Sequence, residues 1–228
     1  MNCSLIVPWK YAYDRERIWS YLWPAWEEEG FEVILSPLSD FEIWRKGKAW
    51  AQGLQKASCD FVCLMDADCW VPKLSDAVGL LSQGHRWVQG QDTVLRFDEA
   101  TTQRLLRGEI ALEEAGRMDH VWEDEPRKAS AGVGTILRRE DADEIPLDPR
   151  FVGWGYEDNA WWEALSTLYG PPGRLPSSIC FHLHHRPQPD KDRVPTSQKP
   201  NWLLWRQYVR ARGRPERMRK LLSEIDGG

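Results

Sequence analysis

Leu5-Ile6-Val7 forms a short continuous apolar run between Ser4 and Pro8, and the spacing of apolar positions then changes. From Asp14 to Glu29 the residues Ile18, Leu22 and Trp26 fall on one face of a helix, inside which Pro24 predicts a kink or a break. Phe31 to Leu35 reads as a second strand ended by Ser36-Pro37, and a helix from about Ile43 to Ala57 leads into Phe61 to Met65. That last run has no polar alternation, the pattern of a parallel strand buried on both faces. Further strands are predicted at Arg86 to Gly90, Gly134 to Arg138 and Ser178 to His184. A helix from Glu157 to Tyr169 is stopped by Gly170-Pro171-Pro172.

Strand and helix therefore alternate as βαβαβ over the first 70 residues, the order of a Rossmann-like nucleotide-binding half, and a mixed sheet is expected to follow. The fold class is α/β in one domain over 1–186, with a nucleotide-binding half (1–70) and a catalytic and acceptor half (71–186). A chain of 228 residues is long enough to close one core. No apolar stretch is long enough to span a bilayer, and Met1 to Pro8 lacks the basic start of a signal peptide, so a cytoplasmic location is expected. The 5 cysteines lack zinc-type spacing and read as reduced filler. Tryptophan is the unusual residue: 14 Trp stand against 6 Tyr and 6 Phe, a number that fits either rings lining a site or bulky filling of helix faces. Charge is also uneven. The chain carries −5 overall, yet Lys199 to Lys220 holds eight basic residues against Glu216 alone. A proline-rich connector or lid (187–200) is expected before this basic C-terminal helix (201–228).

Ligands of open α/β sheets bind beyond the carboxyl ends of the strands, and Asp66-Ala67-Asp68 directly follows the third strand. Two carboxylates at i and i+2 there can share one hard divalent cation, Mg²⁺ or Mn²⁺, which in turn can bridge a diphosphate. Glu157-Asp158 opens a helix after Gly153-Trp154-Gly155. A hydroxyl attacking a sugar needs a carboxylate to take its proton, and Asp158 is placed for that role. Glu157 would then hydrogen-bond a sugar hydroxyl, with Trp154 offering a ring to the sugar. Phe181-His182-Leu183-His184-His185 holds three of the 5 histidines; alternation would put His182 and His184 on one face and His185 opposite, at the end of a strand where a cation site could be completed.

Ile6-Val7-Pro8-Trp9-Lys10, Lys46 to Gly53, Asp66-Ala67-Asp68 and Phe151 to Asp158 together resemble the GT-A nucleotide-sugar glycosyltransferases of family 2. The last segment is similar to the W-G-x-E-D signature of β-1,4-galactosyltransferases and chondroitin-type polymerases. The resemblance implies a GT-A fold and a metal-dependent inverting transfer of a hexose (Gal, GalNAc or Glc type) from a UDP-sugar. It implies Pro8, Trp9 and Arg15 at the uridine, Asp40 at the uracil edge, Lys48 near the diphosphate, and Trp154 and Gly155 at the acceptor. Asp68 would ligate Mn²⁺ (or Mg²⁺), Asp66 would touch ribose or metal, and His182, with His185 as rival, would complete the site. The usual Asn-Arg before the donor-site helix is Arg45-Lys46 here. The acceptor is open among glycan, small molecule, protein and modified nucleic acid, a hydroxymethylated DNA base being one case. A nucleotidyltransferase would want a glycine-rich phosphate loop, and Pro8 to Arg17 has no glycine. A non-catalytic sugar-binding module would have no use for the metal and base residues.

Overall fold

The computed structural model describes residues 2–39, 43–117, 122–124, 132–186 and 198–225. β1 (Cys3–Trp9) is central because all seven of its residues are buried. Its side chains divide by alternation. Leu5 and Val7 pack with Ile18, Leu22 and Trp26 of α1 (Tyr13–Glu28), whereas Ile6 packs with Trp50 and Leu54 of α2 (Lys46–Leu54). β2 (Glu32–Pro37) and β3 (Phe61–Leu64) pair parallel with β1 on its two sides, and β3 is divided in the same way: Cys63 faces the α1 layer, Val62 and Leu64 the α2 layer. The helix α1 runs through Pro24 without interruption. Gly53 lets α2 press onto the sheet, since a Cβ there would collide with Cγ2 of Ile6.

Beyond β3, β8 (Thr135–Arg138) runs antiparallel and β5 (Trp87–Gln89) pairs with it, giving the six-stranded order β2-β1-β3-β8-β5-β9, with β9 at Gly173–Arg174. The expected mixed sheet is therefore present. A second sheet of order β4-β10-β6-β7 (Cys69–Trp70, Ile179–His182, Thr93–Arg96 and Trp122–Asp124) was not apparent from the sequence. α3 (Leu74–Ser82), α4 (Glu99–Leu106), α5 (Leu112–Ala115) and α6 (Arg139–Glu144) complete this half, and α7 spans Glu157–Tyr169. The C-terminal segment is two helices, α8 (Gln198–Ala211) and α9 (Pro215–Ser223), separated at Gly213, whose φ of +66° no helix continues. Tyr208, Met218, Leu221 and Leu222 bury against α7, so the basic segment is packed on the body. Residues 187–197 of the expected connector lie outside the described residues. No described helix is long and apolar enough to cross a membrane.

Among the described residues most tryptophans are core, and Trp26, Trp50, Trp87 and Trp161 are fully buried. Trp44 and Trp154, stacked with centroids 5.9 Å apart, line a cleft instead.

Candidate active site

β1 and β3 run parallel, and the chain leaves β3 directly into Asp66-Ala67-Asp68 at the floor of a cleft of about 510 Å³. β4 begins one residue later and pairs antiparallel with β10, which puts His182 opposite Cys69. The Leu183 amide donates to the Asp68 carbonyl at 2.9 Å, tying the histidine segment to the aspartate turn. β10 ends at His182, so strict alternation lapses there, and His182 and His185 both turn toward Asp68, their rings 5.6 Å apart. The alternation expected from the sequence, which set His185 opposite His182, is corrected by this early end of the strand. His184 also lines the cleft.

Asp68 is almost wholly buried. Nε2 of His185 is 2.9 Å and Nε2 of His182 3.8 Å from its oxygens, and Arg15 reaches it at 3.4 Å. Burial alone would raise its pKa, but His182, the hydrogen bond from His185 and Arg15 together hold the carboxyl well below its usual range. Nε2 of His185 faces both the Asp68 carboxylate and, at 3.5 Å, the Arg15 guanidinium, and its Nδ1 is 2.9 Å from the Arg186 carbonyl. Burial opposes the charged ring, but the bond to Asp68 raises its pKa. His182 is pushed the other way, mainly by burial, and is neutral. A neutral imidazole beside an ionised carboxylate is a donor pair for a borderline-hard cation such as Mn²⁺. One ligand atom each from Asp68, Cys69 and His182 lies within 4.8 Å of the others. The Cys69 thiol, hydrogen-bonded to Cys180 and buried, is held far above its ordinary pKa, so the oxygen and nitrogen donors carry the fit.

Lys46, the first residue of α2, joins the two halves of the cleft. Its buried Nζ is 2.9 Å from Asp66 Oδ1, 3.2 Å from Asp158 Oδ1 and 3.2 Å from the Gly132 carbonyl. Burial would lower the lysine's pKa, but Asp158, Asp66 and Glu157 raise it above normal, so it is always charged. Asp158 lines the cleft and is raised in pKa chiefly by burial, Lys46 pulling it back down. Gly132 has to be glycine, since a Cβ would fall on the Asp158 carboxylate. Glu157 is buried and does not line the cleft; burial and the neighbouring Asp158 push it up to about 8, so at neutral pH it is a neutral acid. A raised folded-state pKa means that the stabilisation from its proton is complete below the ordinary value of 4.5 and is lost as pH rises through about 8. Glu157→Gln is therefore expected to melt close to the wild type at pH 6 and above it at pH 9, as thermal melts at both pH values would show.

The segment before α7 is held in an unusual backbone conformation. Gly153, Gly155 and Tyr156 have φ of +75°, +104° and +73°, which for tyrosine costs about 1 kcal/mol or more. Asn201 of α8 offsets this cost: its Oδ1 accepts from the Val152 amide at 3.2 Å, and its Nδ2 donates to the carbonyls of Val152 at 3.0 Å and Gly155 at 3.2 Å. Trp205 stacks on Tyr156 at 5.2 Å. Trp154 is thereby presented to the cleft, with the Arg15 guanidinium 5.5 Å over its ring.

Of the residues singled out in the sequence, Pro8, Arg15, Asp66, Asp68, Trp154, Asp158, His182 and His185 come together in this cleft. Trp9 does not, because it turns into the core beside α1. Lys48 and Gly155 lie outside the cleft lining, and Asp40 falls outside the described residues. Asp66 is engaged by Lys46 and is not among the clustered donor atoms, which are those of Asp68, Cys69 and His182. Lys46, Trp44, Gln91 and Arg96 are the residues that sequence reasoning missed. For Lys46 there was one signal: a lysine in the first turn of a helix with no acidic residue there sits at the wrong end of the helix dipole and needs carboxylates from elsewhere.

A parallel nucleotide-binding half, an Asp-x-Asp turn at its carboxyl edge and a carboxylate-bearing helix across the cleft make up the GT-A fold. The chain matches the family described as Glycosyl transferase family 2 over residues 42–145, a stretch that includes Asp66 and Asp68 and ends before Asp158. Among solved structures it is similar to S. aureus TarS 1-349 in complex with UDP-GlcNAc, with 15% identity and a TM-score of 0.51 over 99% of this chain and 71% of that one. It is also similar to GalNAc-T7 with UDP, GalNAc and Mn²⁺, with 13% identity and a TM-score of 0.50 over 99% of this chain and 54% of that one. A third is glucosyl-3-phosphoglycerate synthase from Mycobacterium tuberculosis, with 16% identity and a TM-score of 0.48 over 96% and 79%. No curated protein matches the chain by sequence. At these identities the structural likeness speaks for the fold, and the resemblance to GT-A glycosyltransferases read from the sequence is borne out.

Proposed function

We propose that this protein transfers a hexose from a UDP-sugar to an acceptor hydroxyl by a single inverting displacement. The observation that carries the reading is that the ionised Asp68 with the neutral His182, and the Lys46-bridged Asp66 and Asp158, face one cleft at the carboxyl edge of the parallel strands. Asp68 and His182 would hold Mn²⁺ (or Mg²⁺), which when bound supplies positive charge to the donor diphosphate. Arg15 and Pro8 line the donor side, and Trp154 offers a ring to a sugar. Asp158 takes the acceptor proton as the new bond to the anomeric carbon forms and the bond to the diphosphate breaks, so that UDP leaves with the electron pair. The structures of TarS with UDP-GlcNAc and of GalNAc-T7 with UDP and Mn²⁺ support the choice of donor and cation.

Titration calorimetry with UDP tests the reading. The wild type is expected to bind at least tenfold more tightly in Mn²⁺ than in chelator, and Asp68→Ala to remove that difference while keeping its melting transition. Equal binding in chelator would overturn the metal assignment, and the absence of UDP release from any UDP-sugar in Mn²⁺ would overturn the transfer itself.

A further inference from the structure

The α8–α9 pair leaves one face in solvent, and that face is unlike the rest of this acidic chain. Trp202, Leu203, Arg206, Gln207 and Arg210 recur at helical spacing along α8, and all are exposed. Arg210 then shares a groove of about 230 Å³ with Arg217 and Lys220 of α9 and with Glu224, whose carboxylate is paired with Arg150 at 3.7 Å. Arg212 is not part of this surface, because it is committed to Glu163, with Nε 2.7 Å from Oε2. Among the described residues no carboxylate lies within ion-pair distance of Arg206, Arg210, Arg214, Arg217, Arg219 or Lys220. The Arg206 guanidinium lies 5.2 Å over the ring of Trp202, which is still 39% exposed.

We propose that this face binds a nucleic-acid strand and leads it to the cleft as the acceptor. Three features favour that occupant. The cations are arginines with a single lysine, and the planar guanidinium fork matches phosphate oxygens two at a time. An exposed indole backed by a guanidinium is a platform on which a base stacks whatever its identity. Tyr208, Met218, Leu221 and Leu222 are spent on the core, so among the described residues the large apolar side chains this face exposes are Trp202 and Leu203, too few to enter a bilayer. Position supplies the link to chemistry, since Asn201, next to Trp202, bonds the segment that presents Trp154 to the cleft. As an acceptor surface this rests on the transfer reading above; as a binding surface it does not.

The experiment uses the full chain and a fluorescent single-stranded oligonucleotide, titrated at several salt concentrations, with UDP in Mn²⁺ measured on the same preparations. Wild type is expected to bind with a steep salt dependence. Replacing Arg206, Arg210 and Arg217 together by Ser should weaken binding at least tenfold and reduce the slope of log K against log salt by about 2, since each phosphate contact on a single strand contributes about 0.7. Trp202→Ala should cost about tenfold and Trp202→Phe much less, with UDP affinity unchanged throughout. An unaltered slope in the triple variant, equal competition by chondroitin sulfate at matched charge, or binding of anionic phospholipid vesicles in preference to the oligonucleotide would each overturn the proposal. Loss of UDP binding with oligonucleotide binding intact would instead count against the transfer reading alone.

Discussion

Asp158→Asn is expected to lower the rate of sugar transfer about 10²- to 10⁴-fold while leaving donor affinity nearly unchanged. The amide keeps the side chain's shape beside Lys46 and Gly132 but cannot accept the acceptor's proton, so a step made only in the transition state is lost. Because burial raises the Asp158 pKa, the wild-type rate should fall on the acid side as that carboxyl takes up its proton, and this limb should vanish in the variant's residual activity. Measuring kcat and the UDP dissociation constant on both proteins decides the matter. A variant that turns over at the wild-type rate would move the base elsewhere.

Lys46→Met is expected to destabilise the fold by about 3 kcal/mol, near the low end of what removing one partner from a buried charge cluster costs. The low end applies because Asp66 and Asp158 keep 32% and 23% of their side-chain surface, so water takes over part of the lysine's role. The chemistry should suffer as well. Without the ammonium the two carboxylates repel, Asp158 holds its proton to higher pH, and the acid limb of the rate profile shifts upward. Urea unfolding and a pH–rate profile read these two effects separately. Stability equal to that of the wild type would show that the lysine is solvated and not paired.

The parts of the fold that were legible in the sequence are those whose signal is local. β1 and β3 are unbroken apolar runs, and α7 begins and ends where Glu157 and Gly170-Pro171-Pro172 predict. Of the second sheet only β10 was legible, within the strand read at Ser178 to His184; the others have two to four residues and are stabilised by partners far away in the chain, as with Thr93 beside Ile179. The site divides in the same way. Asp66, Asp68 and Asp158 sit in short motifs whose chemistry the residues themselves suggest. Trp9 is a donor contact on the resemblance alone, and its indole turns back into the core. Lys46 gave only the sign of an unmatched charge in a first helical turn, and its partners appear once folding places it between Asp66 and Asp158, carboxylates from a strand exit and a helix start.

The Asn201 clamp has a consequence for the order in which the protein acquires its properties. The Asp66 and Asp68 side of the cleft is assembled from the first two-fifths of the chain together with β10, but the backbone of Val152 to Gly155 is fixed by a side chain about 50 positions further along. During refolding from denaturant, the capacity to hold a nucleotide should therefore return before the capacity to use it, the second waiting on the docking of the C-terminal helices. The protein would pass through an interval as a binder without turnover, and that interval would lengthen in any variant that weakens the grip of Asn201.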